Sequence, residues 1–169
     1  MVMNMKFPEL IKSLHKLNFT SDDGIDFEPY DEFLSEDETI HWFKAWTGNK
    51  NIEKTDLLVF GQDGTGGLAA IWNTVPDSSL LEQPIVFFGS VGELGIIAKN
   101  FHDYLWLLAS GHGPYEAVSY PDDETEINSQ FMDFAKSNSQ TEQRCALSII
   151  EEATNSFPEF TNQIELLCR

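Results

Sequence analysis

Three stretches of this 169-residue chain hold residue types that could do chemistry. The first is Gly61-Gln62-Asp63-Gly64-Thr65-Gly66-Gly67, a glycine-rich connection of the kind that can wrap phosphate groups. A phosphate loop needs a lysine and a hydroxyl directly after its last glycine, and here Leu68-Ala69-Ala70 follow. No Lys or Arg stands between Lys54 and Lys99, and no helix is expected there to aim amide groups at an anion. The run reads as a tight turn.

The second stretch, Ser110-Gly111-His112-Gly113, puts a hydroxyl near an imidazole. Nucleophilic catalysis needs such a pair held firmly with a carboxylate behind it, and adjacent glycines would leave this one loosely oriented. The thiols add nothing catalytic. Cys145 is expected mid-helix beside a buried stripe, as a small core residue, and Cys168 as a loose thiol near the end of the chain. His15, His41, His102 and His112 show no pair at metal-ligand spacing. Asp22-Asp23-Gly24-Ile25-Asp26 lacks the alternation and terminal glutamate of a calcium loop. The expectation is no catalytic residue, no metal and no cofactor.

The third stretch is the most charged. Asp22, Asp23, Asp26, Glu28, Asp31, Glu32, Glu36, Asp37 and Glu38 fall within 20–38, with no Lys or Arg among them. A second acidic connector holds Asp122, Asp123 and Glu124. Over the whole chain 10 basic residues face 28 acidic ones, a net charge of −18. Nucleic acid and anionic membranes bind clustered Lys and Arg, so both are excluded as partners. Two readings stay open: a solvated surface that serves solubility, or a field that steers a basic partner inward.

The elements that would position these residues follow from periodicity. Phe7, Leu10, Ile11, Leu14 and Leu17 predict an N-terminal helix within 1–19. Gly24 and Pro29 predict an irregular or partly extended acidic segment. Ser35 with Glu38 makes a capping box for a helix to Trp46, and Gly48 sits where a C-terminal cap belongs. Two hairpins follow: Leu57–Phe60 with Leu68–Trp72, then Ile85–Phe88 with Leu94–Ala98. Asn100 caps a helix that carries Phe101, Tyr104, Leu105 and Leu108, and Gly111 stops it. The 111–116 segment reads as a flexible exit. A short helix carries Ile127, Phe131 and Phe134. A capping box at Ser139 and Glu142 would open a helix with Ala146, Ile149, Ile150 and Ala153 on one face, and Ile164 with Leu167 would close the chain.

The expected fold is α+β, a single domain over 1–169. Its sheet would be antiparallel or mixed, with about four to six strands built on two hairpins and helices from both ends of the chain packed on it. There is no 18-residue apolar run for a spanning helix. Nor is there a secretory pattern at the N-terminus. Two cysteines suit a reducing cytoplasm.

From Leu57 to Gly111 the order of features resembles the core of the SUKH superfamily, which includes the SMI/KNR-type cell-wall-synthesis regulators. Gly61, Asp63, Gly64 and Gly66 match its "G-x-D-G-x-G" block. Pro84-Ile85-Val86 matches its "P-V-V" block. Ile97-Ala98 with Phe101, Tyr104 and Leu105 matches "I-A-x-S-F-x-x-F-L". The resemblance implies a non-catalytic binding domain with its family-like core at 57–111 and a helical extension at 124–169. Bacterial members are widely regarded as immunity proteins that neutralise toxins, often nucleases or deaminases. Eukaryotic relatives act as regulatory interaction proteins. Carried to this chain, it implies a cytoplasmic immunity protein that occludes a basic toxin domain. The acids expected to make contact are Asp22, Asp23, Asp26, Glu28, Asp31 and Glu32, an exposed Asp63 at the turn, and Asp122, Asp123 and Glu124. The alternative is a regulatory or scaffold protein of cell-wall synthesis.

Overall fold

A computed structural model of the chain describes residues 6–19 and 25–169. Asp22, Asp23 and Gly24 lie outside the described residues. The elements run α1 (Glu9–His15), β1 (Glu28–Pro29), α2 (Glu36–Thr47), β2 (Leu57–Gln62), β3 (Leu68–Trp72), a 3₁₀ turn (Leu80–Glu82), β4 (Ile85–Phe88), β5 (Leu94–Ala98), α3 (Phe101–Ala109), α4 (Pro114–Ser119), α5 (Ser129–Asn138), α6 (Ala146–Ser156) and α7 (Phe160–Leu167). All five strands pair antiparallel in the order β1-β2-β3-β4-β5. The fold is α+β, with helices flanking the sheet.

Caps act where local sequence places them. Ser35 Oγ accepts the Glu38 amide at 3.2 Å, and Gly48 ends α2 in the left-handed region at φ 69°. Asn100 Oδ1 accepts the Asp103 amide at 2.9 Å at the start of α3.

The central strands are buried on both faces, so they read as near-continuous apolar runs instead of alternating ones. Ala69, Ile71, Ile85, Phe87 and Ile97 face a core shared with α1, α3 and α5. Leu57, Val59, Leu68, Ala70, Val86, Phe88 and Ile96 face a second core built with Phe43 of α2 and Phe160 and Ile164 of α7. A β-bulge lies between Val59 and Gly61, where register slips against β3. The bulge turns the extra residue, Phe60, into the first core beside Phe101 and Tyr104 at ring distances of 5.9 and 5.7 Å. Gly61 follows because Phe27 packs where a side chain would stand: a Cβ there would lie 2.1 Å from Phe27 Cζ and 2.9 Å from the Glu28 carbonyl.

Three local expectations give way to tertiary contacts. The 111–116 segment is no flexible exit; Pro114 opens α4 at the first-turn position its fixed φ suits. Ser139 does not open a helix. Its hydroxyl donates to the His102 carbonyl at 3.1 Å and accepts the Thr141 amide at 3.1 Å, while Trp106 Nε1 donates to Thr141 O at 2.9 Å. Those bonds pin 139–141 onto α3, and α6 begins only at Ala146. Cys145 is therefore the residue preceding α6, exposed, and not a core residue inside it.

If Gly61 is the seat for Phe27, then Gly61→Ala overpacks the β1–β2 junction at a cost of about 1–3 kcal/mol. Urea unfolding would show the loss, and hydrogen exchange would show it concentrated at Phe27 to Tyr30.

Candidate partner-binding surface

The short strand β1 lays the acidic segment against the sheet edge. Glu28 pairs with Gln62 and Pro29 with Gly61, and the Tyr30 and Leu34 amides donate to the Phe60 and Val59 carbonyls, each at 3.0 Å. Between those two anchors the chain arches outward through Asp31, Glu32 and Phe33. The arch and the start of β2 enclose an open groove of about 1190 Å³. Phe7, Phe33, Leu34, Leu57 and Leu58 supply its apolar surface, and Asp31, Glu32, Glu36, Glu38 and Asp56 its carboxylates. Among the described residues, Lys12 is the one cation in the lining, and its Nζ lies 3.4 Å from Glu9.

The arch is fixed from below by His15. Its Nδ1 donates to the Tyr30 carbonyl at 2.7 Å, and the ring sits among Phe7, Phe19, Phe27 and Phe60 at centroid distances of 5.7 to 6.2 Å. Burial lowers the His15 pKa, so the ring stays neutral with its proton on Nδ1. On the outer side Tyr30 donates its hydroxyl to Gln62 Oε1 at 2.7 Å, and Gln62 Nε2 donates to Glu28 at 2.9 Å.

Of the acids expected to bind, Asp31 and Glu32 stand exposed in this groove. Glu28 is exposed on the neighbouring strand. Asp26 is exposed but occupied, its Oδ1 accepting the Gly64 amide at 3.0 Å. Asp122, Asp123 and Glu124 are exposed after α4. Their neighbour Pro121 lines a smaller pocket of about 210 Å³ beside β5, at the opposite edge of the sheet. The acidic runs therefore do not converge. Asp22 and Asp23 lie outside the described residues.

Asp63 is a correction. Expected as an exposed turn acid, it is 1% exposed. Its Oδ1 accepts the Thr65 amide at 3.1 Å, the Thr65 hydroxyl at 2.8 Å and the Gly67 amide at 2.7 Å, so the carboxylate builds the turn from inside. The groove also uses residues that sequence reasoning did not assign to binding: Asp56, Phe33, Leu34 and Leu58. Asp56 stands directly before an apolar strand, a signal too common to select it.

Glu116 of α4 lies close by, with Oε2 buried and 3.0 Å from where a Gly113 Cβ would stand. Burial raises its pKa most, its own backbone amide opposes that rise, and the charges of Asp26 and Asp63 add to it. Burial and the same Glu116 push the Tyr104 phenol up as well. Among the described residues, no three His, Cys, Asp or Glu side chains are arranged to hold a metal ion.

The Ser110–His112 pair is a clasp. Ser110 donates its hydroxyl to the Leu107 carbonyl at 2.6 Å, and Thr125 donates to the Ser110 carbonyl. His112 Nδ1 rests 3.1 Å from Ser110 Oγ and 3.2 Å from Thr125 Oγ1, with its pKa lowered by burial. These bonds fasten the 120s loop to the end of α3.

No protein-family model, no curated protein and no solved structure matches the chain. Among the described residues, no helix is long and apolar enough to cross a membrane.

Two predictions follow from the interior acids. Asp63→Ala leaves three donors without their acceptor and costs about 2–4 kcal/mol, read as a lower urea midpoint. Glu116→Gln tests the sign of burial. With its pKa raised above the ordinary 4.5, Glu116 holds its proton more tightly folded than unfolded, so stability falls as pH rises through that window. The glutamine variant should melt higher than the parent at pH 7. That gain should vanish below pH 4.5, where both states of the parent are protonated; an equal gain at both pH values would contradict it.

Proposed function

We propose that this chain is a non-catalytic protein-binding module, an immunity protein that neutralises a cognate toxin of the nuclease type by covering its basic surface. The observation that carries the reading is the groove at the β1–β2 edge, which five carboxylates line among the described residues, with one lysine that is close to Glu9. Nucleases carry basic substrate clefts, and an acidic face complements such a cleft in sign. The net charge of −18 extends that field beyond the contact itself and speeds encounter. The resemblance of 57–111 to the SUKH core supports the same reading. Inhibition then works by steric and electrostatic occlusion, with no turnover and no cofactor.

The test is capture of a basic toxin domain, which this reading expects a neighbouring gene to encode. The association rate should fall steeply as salt rises, because screening removes the steering field. The double variant Asp31→Lys with Glu32→Lys should slow association about tenfold at low salt and by little at high salt. No binding to that basic domain at any salt, or an unchanged rate in the double variant, would sink the proposal.

A further inference from the structure

The groove is amphipathic. Phe33, Leu34 and Leu58 are half-buried and keep apolar surface open to it, while Asp31, Glu32 and Asp56 are exposed around them. A face meant only to display charge has no need of that surface. We propose that the groove holds an extended polypeptide segment of the basic partner, one with an apolar side chain set between lysines or arginines. This rests on the binding reading above and adds which part of the partner is gripped.

Size, charge and rigidity select that occupant. At about 1190 Å³ the groove exceeds the roughly 300–1,000 Å³ of small-molecule sites and suits several residues of chain. Five carboxylates repel anions and select cationic flanks. A second copy of this chain also carries a net charge of −18, so overall repulsion opposes self-association. The walls are set in advance by the Tyr30 and Leu34 amides on β2, by His15 beneath Tyr30, and by the Ser35 cap of α2. A preformed groove spends little on ordering itself, so an apolar anchor can add affinity that salt does not screen.

Two synthetic peptides of equal length and charge, both flanked by lysines, provide the test. One has leucine at its centre and the other serine, and each is titrated against the full chain by calorimetry at low and high salt. The leucine peptide should bind about tenfold tighter, and that ratio should survive high salt. Phe33→Ser and Leu58→Thr should each shrink the ratio while circular dichroism stays unchanged; two variants guard against one that fails to fold. Equal affinity for the two peptides overturns this inference and leaves the basic-partner reading standing. An undiminished ratio in both variants also overturns it, because the site then lies elsewhere. A concentration-dependent dimer dissolved by Leu58→Thr overturns it in favour of a second copy. If the leucine peptide is discriminated but the neighbouring toxin domain does not bind, the groove stands and the immunity reading falls.

Discussion

The structure depends on one displaced residue, Phe60. The bulge in β2 takes it out of register, and its ring becomes the point where α1, β2, α3 and the residue before β1 meet. It touches Phe101 and Tyr104 of α3 on one side and His15 and Phe27 on the other, all at ring distances near 6 Å. Aromatic pairs at such distances add to the burial energy of the rings themselves. Through this contact the charged 25–34 segment, which has little intrinsic reason to fold, is held against a sheet. The groove exists because the chain is tied down on both sides of Asp31 and Glu32.

A chain with so much negative charge must keep most of it in water and neutralise the rest. Arg144 does much of that work. Its guanidinium bonds Asp103 at 2.5 Å and also meets Glu152, joining α3 to α6, while Lys99 pairs with the same Glu152 at 3.6 Å. Asp63 is handled differently, by hydroxyl and amide donors within its own turn. Glu116 is compensated less, since its own backbone amide only partly offsets burial near other acids and its pKa stays raised. His15 and His112 are kept neutral by the same effect acting on bases, so neither relieves the acidic balance at neutral pH. As pH falls below 6.5, the unfolded chain takes up protons that the buried imidazoles refuse, and both histidines then weaken the fold.

The two edges of the sheet are managed by unlike means. At β1 the strand is only two residues long and ends in Pro29, which offers no amide, so pairing cannot spread outward. At β5 the run Leu94–Ala98 contains no proline or charge to discourage pairing. Helix α6 lies there instead, with Ala146 and Ile149 in one core and Ala153 in the other, so it closes both layers beside the strand. One edge thus stays open enough to form a groove, and the other is largely covered by α6.

Local chemistry determined much of this protein from sequence alone. Ser35, Gly48 and Asn100 act on backbone groups within four residues, and the hairpins need only apolar runs around glycine turns, so these features could be read directly. So could the acidic balance and the class of the fold. Tertiary structure alone decided the bulge at Phe60, the burial of Asp63, the pinning of Ser139 onto α3, and the edge where the acids gather. The groove draws on 7–12, 29–38, 55–58 and 73, and no periodicity reports which distant segments share a wall. Asp63 shows the reason most plainly. The composition of a turn allows its carboxylate to face water or to face its own amides, and the packing of Gly61 and Gly67 against neighbouring strands chose the second.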